Sequence, residues 1–262
     1  MLSSAATVML SYGVLAGAVV AFLLMRWFDY RSQRYSPAQY AVYLLNRLMS
    51  RLLWRAEISG PLPVRPGQGA VIVCNHIGPI DPAFVALGTD TSVHWLVARE
   101  FVEMPILRWF FRTVQAIPVG RGGIDTAATK LAIRYLQQGD LVGLFPEGRI
   151  NETDRLLLPG RPGAALIALR ARVPVIPCHV SDSPYDGTIL GFLLIPARTR
   201  LKVGEPIDLS PYYDRAGDRE VQSELTKRFL REIARLGGVD KYEPELAGRN
   251  WKTAKHEVSA AG

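Results

Sequence analysis

The feature that most constrains the fold of this chain is a series of short apolar runs separated by helical patterns. Runs rich in Val, Ile and Leu at positions 71–74, 93–98, 141–145 and 173–180 have the length of buried strands. Helix-starting residues, such as Asp125, and apolar residues at helical spacing lie between these runs. Strands that alternate with helices are typical of a mostly parallel sheet flanked by helices on both faces. The sequence therefore predicts an α/β fold.

Changes in composition divide the chain into three parts. We expect a membrane anchor and an amphipathic helix in residues 1–60, an α/β domain in residues 61–238, and a polar tail in residues 239–262. A strand near residues 201–203 and a helix over residues 219–236 close the domain. The 262 residues, 48% of them hydrophobic, are enough for one substantial core. From Asp240 onward we expect the chain to be poorly ordered, because it is polar and punctuated by Pro and Gly.

Residues Val8 to Met25 form an apolar run without a charged residue. As a helix this run would span about 27 Å, close to the thickness of the hydrocarbon core of a bilayer. Arginines follow the run at positions 26, 31 and 34, which is the reverse of the charge order in a secretory signal peptide. The sequence therefore predicts a transmembrane helix, with the rest of the chain on the cytoplasmic side of the membrane.

Three further segments carry apolar residues that suit either a membrane surface or the core. Residues 37–54 have apolar side chains at helical spacing between arginines, and this basic amphipathic helix could lie on a bilayer or pack on the core. Residues 103–114, which include Trp109, Phe110 and Phe111, predict a short helix with the same two interpretations. Residues 189–195 form either a buried strand or a loop that touches lipid.

The net charge of +7 indicates anionic partners, either nucleic acid or an anionic membrane. The sequence has no RNA-binding motif with interleaved aromatics, no zinc-finger spacing and no long Lys/Arg block, so we predict membrane lipids and no nucleic acid as partners. Both cysteines, Cys74 and Cys178, lie in strand patterns, and we interpret them as small core residues in a reducing compartment. No motif predicts a metal site.

The first apolar run ends in a polar turn that carries a histidine and an aspartate with H-x4-D spacing, His76 and Asp81. We expect Asp81 to cap a helix that has Pro82 in its first turn. In open α/β sheets the carboxyl ends of the strands border the ligand crevice. A histidine held there by a carboxylate is a general base with a fixed tautomer. The alternatives are a simple helix cap for Asp81 and a satisfied polar group for His76.

Two later strands also end in polar turns, Gly120-Arg121 and Glu147-Gly148-Arg149. Parallel strands would bring these turns to the edge that carries His76. Arginine suits phosphate because its fork makes two charge-assisted hydrogen bonds, and glycine lets the backbone approach a ligand closely. The sequence therefore predicts a site that holds a phosphate monoester while a nearby hydroxyl is deprotonated. Solvated surface arginines, and a structural ion pair for Glu147, are the alternatives.

Four motifs in order resemble the glycerolipid acyltransferase family typified by 1-acyl-sn-glycerol-3-phosphate acyltransferase. They lie at residues 75–81, 117–121, 145–149 and 173–177, so that the resemblance covers roughly residues 71–180. The resemblance implies transfer of a fatty acyl group from acyl-CoA or acyl carrier protein to a lysophospholipid hydroxyl, most directly that of 1-acyl-sn-glycerol-3-phosphate, without a cofactor. The product would be phosphatidic acid.

The resemblance also implies roles for particular residues. His76 would be the base and Asp81 the group that orients it. The phosphoglycerol of the acceptor would be bound by Arg121, Glu147, Gly148 and Arg149, while Val173, Pro174, Ile176 and Pro177 would shape the acyl pocket or the fold. Backbone N–H groups near Gly78 are candidates for stabilising the oxyanion.

The chain departs from the family pattern in ways that leave the acceptor open. Gly78 stands where the family often has Ser, and Gly120 where it often has Asp. Gly148 directly precedes Arg149, which resembles the acyltransferase part of the bacterial 2-acylglycerophosphoethanolamine acyltransferases. A thioesterase or phosphatase with water as acceptor, and a non-catalytic membrane lipid-binding protein, are the other hypotheses. No G-x-S-x-G motif indicates a serine hydrolase.

Overall fold

The computed structural model describes residues 35–120, 125–188 and 190–248, together with Tyr12. Its sheet has seven strands: β1 (Glu57–Ile58), β2 (Ala70–Cys74), β3 (Val93–Ala98), β4 (Ile117–Val119), β5 (Leu141–Leu144), β6 (Val175–Ser181) and β7 (Arg200–Val203). The order across the sheet is β1-β7-β6-β2-β5-β3-β4. All neighbouring strands are parallel except β6 and β7, which are antiparallel. The prediction of a mostly parallel sheet is confirmed.

The described α-helices are α1 (Pro37–Leu52), α2 (Asp81–Ala86), α3 (Arg99–Val102), α4 (Pro105–Thr113), α5 (Thr126–Gln137), α6 (Gly163–Ala171) and α7 (Arg219–Leu236). Two 3₁₀ helices cover Gly191–Leu194 and Ser210–Arg215. The strand interpretation of residues 189–195 is therefore wrong for the described residues 190–195. The leucines at positions 190, 193 and 194 are exposed, whereas the apolar residues of a core strand would be buried.

The sheet is covered on both faces, and its central strand β2 is apolar at every position. All five residues of β2 are 0% exposed. Successive side chains of a strand point to opposite faces. Val71 and Val73 belong to a core with residues of α5, α6 and α7, whereas Ile72 and Cys74 belong to a second core with Trp54 and residues of α2.

Both cysteines are buried and free, as predicted for core residues. Cys74 and Cys178 are register partners in β2 and β6, and neither forms a disulfide. Burial raises the pKa of the Cys178 thiol to about 12. A thiol in such surroundings is not activated as a nucleophile.

The N-terminal predictions have separate outcomes. The predicted membrane helix, Val8 to Met25, lies outside the described residues except for Tyr12. Across the three described ranges, no helix has the length and apolar character needed to cross a bilayer. The predicted amphipathic helix is present as α1, with its N-terminus fixed by a capping box between Ser36 and Gln39. It packs on the protein through buried Tyr40 and Tyr43, while three leucines, at positions 45, 48 and 52, stay exposed on its outer side.

The prediction that the chain is poorly ordered from Asp240 is wrong for residues 240–248. The Gly160 N–H donates to the Glu245 carbonyl over 2.8 Å, and the Ala247 N–H donates to the Gly160 carbonyl over 2.9 Å. The Tyr242 hydroxyl donates to the Leu157 carbonyl over 3.3 Å. The composition was misleading because backbone groups make most of these contacts. Residues 249–262 lie outside the described residues.

Candidate active site

The structure brings the predicted pair His76 and Asp81 together at the carboxyl end of β2. Asp81 Oδ2 lies 3.0 Å from His76 Nδ1 and accepts hydrogen bonds from the Ile77 and Gly78 N–H groups over 2.8 and 2.9 Å. The expected N-cap role is wrong, because Asp81 is the first residue of α2 and the N-cap position belongs to Ile80. Asp81 instead turns back and organises the loop before the helix.

This arrangement fixes the tautomer of His76. A carboxylate oxygen that already takes two backbone N–H groups acts as an acceptor, so Nδ1 carries the hydrogen and Nε2 keeps its lone pair. In the same arrangement, the Ile77 and Gly78 N–H groups donate their hydrogen bonds to Asp81. The hypothesis that N–H groups near Gly78 stabilise the oxyanion is therefore wrong for these two donors.

Aromatic stacking fixes the plane of the imidazole. The ring centroids of His76 and Phe145 are 3.7 Å apart with an interplanar angle of 4°, and Phe145 stacks in turn on Trp95 at 4.7 Å. A Cβ atom on Gly143 would lie 2.6 Å from the Trp95 ring, so glycine at this position makes room for the stack. The His76 side chain is 15% exposed, which leaves part of the ring accessible.

Glu147 lies beside the His76–Asp81 pair, and both of its carboxylate oxygens accept hydrogen bonds from backbone N–H groups. Its Oε1 accepts from the His76 N–H over 2.9 Å, and its Oε2 accepts from the Leu158 N–H over 2.8 Å. Glu147 is buried, and this burial raises its pKa to about 7. The geometry favours a positioning role for Glu147 over the substrate contact that the resemblance implies.

Gly148 and Arg149 follow Glu147 and form the turn that carries the predicted arginine. Gly148 has φ +71°, a left-handed conformation that favours glycine. Burial raises the pKa of Glu147, and the positive charge of Arg149 partly offsets this rise.

A second arginine, Arg161, also lies at this turn. A Cβ atom on Gly148 would lie 3.1 Å from Arg161 Cδ. Burial and the positive charge of Arg149 lower the pKa of Arg161. The sequence analysis missed Arg161, because a lone arginine between Gly160 and Pro162 gives no signal of its position. Two neighbouring guanidiniums are suited to hold an anionic group.

Arg121 lies in residues 121–124, outside the described residues, so its predicted contact stays a prediction. Both ends of this loop are described. The Gly120 N–H donates to Asp125 Oδ2 over 3.0 Å, and Asp125 caps α5 by accepting from the Ala128 N–H over 3.0 Å. These two backbone hydrogen bonds lower the pKa of Asp125. The loop therefore starts and ends at the carboxyl end of β4.

The four residues of the last motif that carry a predicted role belong to the sheet or to the turn before it. Val173 and Ile176 are buried in the two cores, and Pro177 lies within β6 opposite Val73. The Pro174 carbonyl accepts from the Val71 N–H over 3.0 Å. These contacts support the structural interpretation of Val173, Pro174, Ile176 and Pro177, while the acyl-pocket interpretation stays a prediction.

The sequence analysis assigned no role to Asn75, which joins β2 to β6. Its Nδ2 donates to the Val180 carbonyl over 2.8 Å, and its Oδ1 accepts from the Val180 N–H over 2.7 Å. This reciprocal pair brings the loop after β6 close to the His76 turn. In the described ranges, no group of three or more His, Cys, Asp or Glu side chains is arranged to hold a metal ion.

Comparison with known proteins connects this site to a family. The Acyltransferase family model matches residues 55–181, which include His76, Asp81, Glu147 and β6. Over 142 residues the chain is 28% identical to the 1-acyl-sn-glycerol-3-phosphate acyltransferase of Bacillus subtilis, covering 53% of this chain and 67% of that protein. Residues 55–181, which carry the site, match the Acyltransferase family and resemble the glycerolipid acyltransferases. The predicted resemblance and the prediction of an acyltransferase enzyme are thereby confirmed.

Two further comparisons show how far this acyltransferase resembles its relatives. It is 28% identical over 232 residues to an uncharacterized protein of Mycobacterium tuberculosis, covering 72% of this chain and 62% of that protein. The crystal structure of the 1-acyl-sn-glycerophosphate (LPA) acyltransferase from Thermotoga maritima matches with a TM-score of 0.58 and 20% identity, covering 75% of this chain and 79% of that one. This likeness establishes a shared fold.

Proposed function

We propose that this acyltransferase moves a fatty acyl chain from acyl-CoA or acyl carrier protein to the free hydroxyl of a lysophospholipid. The acceptor proposed first is 1-acyl-sn-glycerol-3-phosphate, which would give phosphatidic acid. The observation that carries this proposal is the contact of 3.0 Å between His76 Nδ1 and Asp81 Oδ2, which leaves Nε2 as a base. The similarity to the Bacillus subtilis enzyme supports the choice of acceptor.

The proposed reaction is direct, without an acyl-enzyme. His76 Nε2 takes the proton of the acceptor hydroxyl while its oxygen attacks the thioester carbonyl. The new C–O bond forms, the C–S bond breaks, and the departing thiolate recovers the proton from the imidazolium. Asp81 stabilises the imidazolium by its negative charge. General-base assistance of this kind is worth about 10²–10⁴ in rate, and bringing the two substrates together supplies much of the remainder. We propose no cofactor, and the acyl carrier is a co-substrate.

We propose that Arg149 and Arg161 bind the phosphate of the acceptor, with Arg121 as a further contact. Burial and the positive charge of Arg149 lower the pKa of Arg161, and an anionic ligand would relieve the repulsion between the two cations. Guanidinium groups also match the geometry of phosphate oxygens. The buried Glu147 would then act on the backbone of His76 rather than on the ligand.

We propose a membrane location with the catalytic domain on the cytoplasmic side. Two helices support it by exposing large apolar side chains beside arginines. On α4, Ile106 and Trp109 are 75% and 67% exposed and lie next to Arg108 and Arg112. On α1, the exposed Leu48 and Leu52 directly follow Arg47 and Arg51 in the chain. Apolar side chains next to cations suit the interface of an anionic bilayer, where the acceptor resides.

The test is to incubate the protein with acyl-labelled acyl-CoA, or acyl carrier protein, and lysophosphatidic acid in lipid vesicles. Labelled phosphatidic acid supports the proposal. Labelled free fatty acid, or release of inorganic phosphate, would support hydrolysis instead, and binding without product would support a non-catalytic lipid-binding protein. A panel of lysolipids decides the acceptor, with 2-acylglycerophosphoethanolamine as the second candidate because Gly148 directly precedes Arg149.

A further inference from the structure

Two buried oxygen atoms beside the His76–Asp81 pair lack a hydrogen-bond partner within the described part of the chain. They are Asp81 Oδ1 and Ser183 Oγ. All three donors that Asp81 receives from the turn reach its other oxygen, Oδ2. Both oxygens of a carboxylate are hydrogen-bond acceptors, and leaving a buried acceptor unsatisfied is unfavourable. Asp81 Oδ1 therefore requires a donor.

Gly78 shows that the two oxygens border one small space. A Cβ atom built on Gly78 would lie 2.8 Å from Ser183 Oγ and 3.5 Å from Asp81 Oδ1. Gly78 is not among the residues with positive φ, so its backbone accepts a side chain and only the space forbids one. The hydroxyl of Ser183 occupies the volume that a larger residue at position 78 would enter.

The fold explains how Ser183 reaches this place from a distant part of the sequence. β6 ends at Ser181 and runs parallel to β2 as its direct neighbour. The reciprocal hydrogen bonds between Asn75 and Val180 hold the ends of these two strands together. The loop after β6 therefore lies over the turn that contains Gly78, and rotation about one side-chain bond moves the Ser183 hydroxyl without moving the backbone.

We infer that Ser183 is a positioning residue whose hydroxyl donates a hydrogen bond to Asp81 Oδ1. This inference rests on the proposed function, because it concerns how the base is oriented. With a donor on each oxygen, the carboxylate keeps Oδ2 directed at His76 Nδ1. The hydroxyl acts through Asp81 and does not touch the acceptor, so its loss lowers kcat and leaves KM for the acceptor almost unchanged.

The test moves the hydroxyl from position 183 to position 78. Ser183→Ala removes it and should lower kcat about 10- to 100-fold, the effect expected for one lost hydrogen bond to a charged group. Gly78→Ser alone should also impair the enzyme, because its Cβ would meet Ser183 Oγ at 2.8 Å. The double variant Gly78→Ser/Ser183→Ala opens this space and supplies a hydroxyl from the other side. It should recover most of the kcat lost in Ser183→Ala.

The matched control is Gly78→Ala/Ser183→Ala, which fills the same space without a hydroxyl and should stay as slow as Ser183→Ala. Equal recovery in both double variants would show that only packing matters and would overturn the inference. Wild-type kcat in Ser183→Ala would overturn it too. Thermal unfolding of each variant shows whether it is folded.

A readout without turnover separates this inference from the proposed function. If the wild type forms no phosphatidic acid, the proposed function fails, but the NMR resonance of the His76 Nδ1 proton still reports its hydrogen bond to Asp81. The resonance should move in Ser183→Ala and return towards its wild-type position in Gly78→Ser/Ser183→Ala. An unchanged resonance in Ser183→Ala would contradict the inference independently of catalysis.

Discussion

Two histidines of this chain share the same local chemistry but lie in different regions of the sheet. His76 stacks on Phe145 with ring centroids 3.7 Å apart, and His94 stacks on Tyr135 with centroids 3.8 Å apart. Each ring also has an aspartate nearby. Asp81 lies 3.0 Å from Nδ1 of His76, whereas Asp140 lies 3.7 Å from Nε2 of His94.

The difference lies in what remains available on each ring. His94 is in β3 and 1% exposed, with its Nδ1 3.2 Å from the Gln115 carbonyl and its Nε2 facing Asp140. Burial lowers the pKa of His94. His76 follows the carboxyl end of β2, and its Nδ1 is engaged while its ring stays partly exposed. A stacked histidine near an aspartate is therefore not sufficient for a catalytic site. The histidine must also lie at a strand end, where one ring nitrogen is accessible to a substrate.

The largest expected effect comes from removing each imidazole in turn. His76→Ala should lower kcat by about 10²–10⁴, the usual contribution of a general base, because it removes the group proposed to take the hydroxyl proton. Its thermal unfolding should stay near that of the wild type, since a partly exposed ring contributes less to the core. Initial rates and circular dichroism measure the two properties.

His94→Ala is the matched control and should behave in the opposite way. It removes a buried, stacked ring and should destabilise the protein by about 2–4 kcal/mol, as other large-to-small core substitutions do. The folded fraction should keep its kcat. A large kcat loss in folded His94→Ala would break the distinction between the two regions.

A smaller effect is expected from the two aspartates. Asp81→Asn removes the charge that stabilises the His76 imidazolium and should lower kcat about 10²-fold. Asp140→Asn, which alters the carboxylate beside His94, should leave kcat unchanged. Steady-state kinetics measure kcat for both variants. A similar loss of kcat in both would contradict the assignment of Asp81 as the partner of the catalytic base.

Arg149→Ala tests the phosphate contact. It should raise KM for lysophosphatidic acid about tenfold, the effect of one lost charge-assisted hydrogen bond, with little change in kcat. The control is Arg235→Ala, which removes an exposed arginine that pairs with Glu232 on α7 and should leave KM unaffected. If Arg149→Ala loses as much activity with an acceptor that lacks phosphate, the contact is assigned wrongly.

The smallest effect is a pH dependence of stability that belongs to His94. Its pKa is lowered by burial, so below about pH 6.5 the unfolded chain binds a proton there that the folded protein does not. The stability that neutral His94 contributes is present above about pH 6.5 and is lost as the pH falls through its folded pKa. His94→Phe should reduce this slope. Denaturant unfolding between pH 5 and 7 measures it, and an unchanged slope would contradict the role of His94.

The sequence predicted those parts of the protein that depend on local patterns. The predicted final helix has the bounds observed for α7, Arg219–Leu236, because Asp218 caps its start and Gly237 follows the end of its apolar stripe. The pairing of His76 with Asp81 was also predictable, since both residues lie in one turn. The Asp-Pro dipeptide could not show that the carboxylate turns back towards Gly78 rather than capping α2.

The contacts that the sequence could not predict join distant segments. Glu147 reaches the His76 backbone from 71 residues away, and Asn75 pairs with Val180 across 105 residues. Arg161 and Ser183 come from loops without periodicity, so only the parallel arrangement of β2, β5 and β6 places them at one edge. Polar composition likewise gave no sign that residues 240–248 pair through their backbone with the loop near Gly160.

The measurement that tests the account most directly is the rate at which equal amounts of folded wild type, His76→Ala and His94→Ala form labelled phosphatidic acid from acyl-CoA and lysophosphatidic acid. The account predicts that folded His94→Ala matches the wild type, while His76→Ala is slower by at least about 10²-fold. Comparable rates for His76→Ala and the wild type would contradict the assignment of His76 as the base.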